Sequence, residues 1–164
     1  MRIFRFIIAS VVVISVITTI ISLFIPSNVR ISRGIQINSP KDSVMNQIGN
    51  AVNWKNWYPG ADSLKSYYEA NVMKGLVLDE VKKRYIVITE EKDDEITAEY
   101  RLPGKKIPTG WLIAADNSSV TIQWYMDFHL HWYPWEKFSS LMFERVYHPQ
   151  LQQGLDNLKR YLEK

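Results

Sequence analysis

Hydrophobic and polar positions follow three different periods along the chain. Residues 6–25 carry no charge and are dominated by Ile, Val, Leu and Phe. Twenty helical residues rise about 30 Å, the thickness of a bilayer hydrocarbon core. The β-branched content that weakens a helix in water matters little in lipid, where backbone groups must bond within the segment. The run predicts a single membrane-crossing helix. A cleaved signal peptide competes, but its apolar region covers about 7–15 residues before a small-x-small site. This run is longer and ends Leu23-Phe24-Ile25-Pro26-Ser27. Ser10, Ser15, Thr18, Thr19 and Ser22 make no polar face of the kind a core helix shows. Arg2 and Arg5 precede the run and favour a cytoplasmic N-terminus with the remainder outside. Arg30 and Arg33 on the far side oppose that bias.

After Pro26 the period changes to two. Val29, Ile31, Ile35 and Ile37 share one face of a predicted strand, which Arg33 interrupts, so a buried partner or a sheet edge is expected there. Ser39 reads as an N-cap with Pro40 at the first helical position and Asp42 in the first turn. Val44, Met45 and Ile48 form that helix's apolar stripe before Gly49-Asn50 stops it. A second short helix from Ala51 makes Trp54 and Trp57 neighbours, and Tyr58-Pro59-Gly60 forces a turn. Residues 64–78 supply one or two strands and 84–90 another, followed by a charged turn at 91–94. Residues 95–102 alternate, with Ile96, Ala98, Tyr100 and Leu102 inside and Glu99 and Arg101 outside. A turn at 103–106, a strand over 109–115 and a turn at Asp116-Asn117-Ser118 follow. Val120, Ile122, Trp124, Met126 and Phe128 then alternate most regularly of all. The end is helical from Trp135, with Pro149 near the start of a helix carrying Leu151, Leu155, Leu158 and Leu162 on one stripe. Gly154 in that helix costs about 1 kcal/mol against alanine and suits the close approach of a strand or ligand.

The 164 residues fit one domain after the apolar helix, and their 46% apolar and 23% charged content excludes disorder for most of the chain. Zero cysteine excludes disulfides, thiolate metal sites and a cysteine nucleophile. Without Arg2 and Arg5 the balance is 18 basic against 17 acidic residues, so the positive excess sits at the membrane end. A nucleic-acid partner would need it on the folded part.

The order of strand, short helices, antiparallel strands and one long helix is solved by a curved sheet gripping that helix. The segment VRISRGIQINSPKDSVMNQIGNAVNWKNWYPG resembles the opening of the SRPBCC superfamily, the START-like domains of polyketide cyclase/dehydrase and lipid-transport type. The likeness rests on Ile35, Ile37, Asn38, Ser39, Pro40, Asn53, Trp54 and Trp57. The ending HPQLQQGLDNLKRYLEK resembles that superfamily's last helix, with Gly154-Leu155 and Leu158-Lys159. The resemblance implies an α+β helix-grip fold over residues 28–164, after an anchor and linker over 1–27. It further implies a cavity between sheet and helix for a hydrophobic small molecule or lipid.

Candidate lining residues are Trp54, Trp57, Tyr100, Trp111, Trp124, Met126, Phe128, Phe143, Leu151 and Leu155, each of which also suits ordinary core packing. Arg33, Glu99 and Arg101 are the available ionic handles, with Glu99 and Arg101 surface residues by strand parity. His129 and His131 share a strand face and His148 is a conceivable third ligand, but the parity is that of the wet face, and no metal or other cofactor is expected. No nucleophile elbow, phosphate-binding loop or His-Glu-x-x-His is present. No catalytic residue stands out. Trp132-Tyr133-Pro134-Trp135 suits either the bilayer headgroup region or packing at the cavity mouth. The expectation is a membrane-anchored binding domain for an apolar ligand. A cyclase/dehydrase- or hydrolase-type enzyme using the same pocket, and a protein-interaction sensor or scaffold at the membrane, are the alternatives.

Overall fold

The computed structural model describes residues 2–116 and 119–164. Asn117 and Ser118, expected to complete the turn that Asp116 opens, lie outside the described residues. Among these residues one helix, α1 (Arg2–Leu23), is long and apolar enough to cross a membrane. Three of its hydroxyls bond to the helix's own backbone. Thr18 Oγ1 donates to the Ile14 carbonyl at 2.7 Å, Thr19 Oγ1 to Ser15 at 2.8 Å and Ser22 Oγ to Thr19 at 2.7 Å. Length and composition of this kind suit a membrane span and a signal sequence alike.

The rest of the chain is an α+β helix grip. Seven strands, β1 (Asn28–Ile37), β2 (Lys65–Glu69), β3 (Val72–Asp79), β4 (Arg84–Lys92), β5 (Glu95–Leu102), β6 (Lys105–Ala115) and β7 (Val120–His129), form one antiparallel sheet in the order β1-β7-β6-β5-β4-β3-β2. Register shifts in β2–β3, β3–β4 and β4–β5 curve that half of it. Helix α2 (Lys41–Gly49) and two 3₁₀ turns (Ala51–Asn56 and Ala61–Ser63) lie between β1 and β2. Helices α3 (Pro134–Ser140) and α4 (Phe143–Leu162) follow β7. Helix α4 packs most extensively on β1, and the concave face closes over Leu151, Leu155 and Leu158.

The alternation predicted for β5 and β7 holds: Ile96, Ala98 and Tyr100, and Val120, Ile122, Trp124, Met126 and Phe128, are all buried. Tyr125 is buried as well, on the opposite face, beneath the Arg30 guanidinium 4.3 Å from its ring centroid. Three local expectations are corrected. The N-cap of α2 is Pro40, in extended conformation with no side-chain cap, rather than Ser39. The charged and Pro-Gly turns are tighter than expected, because Glu91 and Lys92 extend β4 and Lys105 and Lys106 open β6. Pro149 lies inside α4, not near its start. The missing N–H costs one helical hydrogen bond, and Phe143 and Tyr147, packed on Phe128 at ring-centroid distances of 4.6 and 4.9 Å, hold the preceding turn in place.

Gly154 is where α4 meets β7. A Cβ there would lie 2.5 Å from Trp124 Cζ3 and 3.3 Å from Pro59 Cδ. Trp124 is fully buried and cannot swing aside. Glycine-to-alanine in a helix ordinarily stabilises by about 1 kcal/mol. Gly154→Ala is expected to do the reverse and destabilise by about 1–3 kcal/mol, read as a lower thermal midpoint. A raised midpoint would show that the contact between α4 and β7 is slack.

Candidate functional site

The site is built outward from the end of α2. The last carbonyls of a helix have no partner within it, and here side chains supply them. Trp54 Nε1 donates to the Ile48 carbonyl at 2.7 Å, Trp57 Nε1 to Gln47 at 3.0 Å and Asn53 Nδ2 to Asn46 at 2.9 Å. The Asn-Trp-x-x-Trp spacing is thus a helix cap as well as an aromatic pair. The two indoles meet edge-on at 6.1 Å and project into the grip, where Trp111 and Trp124 reach them from β6 and β7 at 5.7–6.0 Å. Trp111 and Trp124 lie 5.1 Å apart. All four are sealed from solvent. Trp124 Nε1 donates to Thr109 Oγ1 at 3.0 Å, and that hydroxyl in turn donates to the Tyr125 carbonyl at 2.5 Å. Trp111 Nε1 is buried with no hydrogen-bond partner among the described residues.

This aromatic plug fills the middle of the grip. Beside it, between the sheet and α4, a cleft of about 160 Å³ is lined by Leu78, Arg84, Tyr85, Tyr100, Arg101, Leu102, Ile107, Met126, Tyr147 and Gln150. Its apolar walls come from β3, β5, β6 and β7, and α4 contributes Tyr147 and Gln150. The polar pole is formed by Tyr100 and Gln150, backed by Tyr58: Tyr58 Oη and Tyr100 Oη are 3.0 Å apart, and Gln150 Nε2 donates to Tyr58 Oη at 3.4 Å. Burial pushes the Tyr58 hydroxyl up to about 12 against the smaller opposing pull of its two hydrogen bonds. Burial, then Tyr58 itself, raises Tyr100 well above the ordinary value. Both groups are therefore protonated hydrogen-bonding groups at neutral pH. At the rim Arg101 binds Glu69 at 2.7 Å and Glu99 at 3.2 Å, and Glu69 is the main cause of its raised pKa.

The residues singled out in the sequence separate into groups. Tyr100 and Met126 line the cleft. Trp54, Trp57, Trp111 and Trp124 form the plug, and Leu151 and Leu155 lie in the core under α4. Phe128 and the half-buried Phe143 stack beside Tyr147. Glu99 and Arg101 are half-buried, because Glu69 on β2 and Lys106 on β6 reach across to pair with them. Arg33 lies on the edge strand and also has a partner, with Nη2 donating to His148 Nδ1, while its buried Nε has none among the described residues. The histidines diverge: His129 Nδ1 faces Asn28 Oδ1 at 2.7 Å and His131 Nδ1 faces Glu136 Oε2 at 3.1 Å. Tyr58, Tyr147 and Gln150 were not singled out as ligand contacts. Gln150 lies one residue from Leu151 in the predicted apolar stripe, which was the available signal.

The family model described as polyketide cyclase / dehydrase and lipid transport matches residues 28–163. No curated protein matches the chain. Among solved structures, a START superfamily protein from Mycobacterium smegmatis superposes with a TM-score of 0.57 at 11% identity, over 82% of this chain and 97% of that one. XoxI from Bacillus cereus gives 0.56 at 13%, over 82% and 96%. The di-domain ARO/CYC StfQ from the steffimycin biosynthetic pathway gives 0.62 at 11%, over 83% of this chain and 51% of that one. At such identities the likeness is one of fold.

The two buried hydroxyls make a pH prediction. Their folded values lie above the ordinary tyrosine value of 10.0, so the folded state keeps protons that the unfolded chain releases. The associated stability is intact below pH 10 and is lost as pH climbs above it, through about 12 for Tyr58, at up to about 1.4 kcal/mol per pH unit for each group. Urea unfolding of the wild type from pH 8 upward should show this decline. The Tyr58→Phe, Tyr100→Phe double variant should show a flatter one, and an equal slope would place the alkaline loss elsewhere.

Proposed function

Because the chain belongs to the polyketide cyclase/dehydrase and lipid-transport family, we propose that it is a membrane-anchored binding domain for a hydrophobic small molecule or lipid. Residues 1–27 serve as anchor and linker in this reading and 28–164 as the binding domain, with the N-terminus in the cytoplasm and the domain outside. The observation that carries it is the cleft, apolar in its walls and ending on the Tyr58–Tyr100–Gln150 pole. A ligand with an apolar body and one carbonyl or hydroxyl end suits both parts, its oxygen joining the hydrogen bonds that already link Tyr58, Tyr100 and Gln150. The cleft is smaller than the roughly 300–1,000 Å³ of ordinary ligand sites. Its half-buried walls, Leu78, Leu102 and Tyr147, therefore part to admit a ligand of usual size, while the tryptophan plug stays closed.

A cyclase- or aromatase-like activity is the second reading, supported by the family and by the same hydroxyl pair. Proton abstraction near neutrality needs a base with a pKa close to the working pH. Tyrosines held protonated act instead as donors to a ligand oxygen, which favours binding over proton transfer.

The test is native mass spectrometry of the detergent-solubilised full chain, with organic extraction of what accompanies it. A stoichiometric apolar ligand is expected, reduced at least about tenfold, or 1.4 kcal/mol, in Leu102→Trp, which fills the cleft from a half-buried wall. Undiminished ligand in that variant would remove the cleft as the site. An empty wild type that instead turns over an aromatic polyketide substrate would establish the second reading.

A further inference from the structure

The linker after α1 is fastened to the domain. The Lys137 ammonium on α3 is buried and donates to the Ile25 carbonyl and to Ser27 Oγ, both at 2.7 Å, and the Leu130 N–H donates to the Ser27 carbonyl at 2.8 Å. Helix α1 is almost wholly exposed, apart from Thr18, Thr19 and Ser22 on its last two turns, and α3 is the element it packs against. Residue 18 lies about 10 Å along the helix from the end of the apolar run at Ile25. A segment resting on that stretch therefore sits at the depth of the bilayer boundary if α1 spans.

The same segment presents unpartnered apolar surface. Trp132, Trp135 and Leu141 are 65–68% exposed, and Phe24, the residue after α1, is 84% exposed. Tyr133 is stacked on Trp135 at 4.8 Å. Both charged side chains of α3 are engaged by protein groups. Lys137 is buried, and Glu136 accepts from the His131 backbone N–H at 2.8 Å, which is the main cause of its lowered pKa. Tryptophan and tyrosine partition to the headgroup level of a bilayer, and an apolar helical face lies in that plane.

We infer that residues 132–141 form a second membrane contact, an aromatic platform seated in the headgroup–acyl boundary of the bilayer that α1 spans. The platform sets the orientation of the domain. Asn28 at the start of β1 pairs with His129 at the end of β7, and the β3–β4 and β5–β6 turns lie at the same end of the sheet. The cleft residues Arg84, first of β4, and Leu102, last of β5, border those turns. The cleft mouth thus faces the lipid surface, and an apolar ligand passes between leaflet and cleft without crossing much water. This inference rests on the reading of α1 as a span.

The six tryptophans allow a direct test, because four are sealed in the plug and only Trp132 and Trp135 are exposed. The full chain is reconstituted in phosphatidylcholine–phosphatidylglycerol liposomes whose acyl chains are either ordinary or brominated near the headgroup end. Flotation reports the span and tryptophan emission reports the platform. Emission is expected to fall by up to about a third in brominated lipid, two of six indoles, as expected for residues at the interface. The fall should vanish in Trp132→Phe, Trp135→Phe, whose fold is checked by the near-ultraviolet circular dichroism of the plug. Protein that floats without quenching overturns the platform and leaves the span standing. Protein that does not float overturns both.

Discussion

The capping of α2 by Trp54 and Trp57 is the interaction on which the rest of the domain depends. Two indole N–H groups that would each cost desolvation if buried alone are satisfied by two helix-end carbonyls that would otherwise be orphaned. That exchange fixes both rings under the sheet, where Trp111 and Trp124 close around them. Trp124, immobilised there, sets how near α4 can approach, and only glycine at 154 fits. One local cap thereby bears on the packing of the long helix about a hundred residues later.

The plug also determines where a ligand has room. In a grip fold with its centre filled by four indoles, the cleft lies beyond their edge, between the sheet turns and the first half of α4. Tyr58, next in sequence to Trp57 and stacked on Trp54 at 5.5 Å, marks that edge. Its hydroxyl meets Tyr100 and Gln150 there, so the chain changes from sealed aromatic core to polar-ended cleft within one residue. Fully buried rings pack on one side of that edge and half-buried side chains on the other.

The cleft and the apolar helix lie at one end of the molecule for a topological reason. The chain enters the sheet at Asn28 and leaves it at His129, which are paired neighbours on β1 and β7. Everything attached to those two ends, the apolar helix before and α3 after, is held together by that pair. Lys137 then locks the two segments with a buried ammonium, a residue type rarely buried unless its donors are satisfied, as two of them are here.

The elements themselves were legible in the sequence because their signals are local. Period-two alternation named the buried faces of β5 and β7, the leucine stripe named the buried face of α4, and the uncharged run named α1. The Asn-Trp-x-x-Trp group marked the fold family, and Trp54 and Trp57 were rightly read as neighbours. Tertiary structure alone decided what those side chains do. Whether an inward tryptophan lines a cavity or fills it depends on which other rings arrive from distant strands. The partner of Arg33 is 115 residues away, and Glu99 and Arg101, exposed by strand parity, are half-covered by residues on neighbouring strands. The cleft exists only where the plug ends. Periodicity records which face of an element is apolar; the volume left between faces is a property of their assembly.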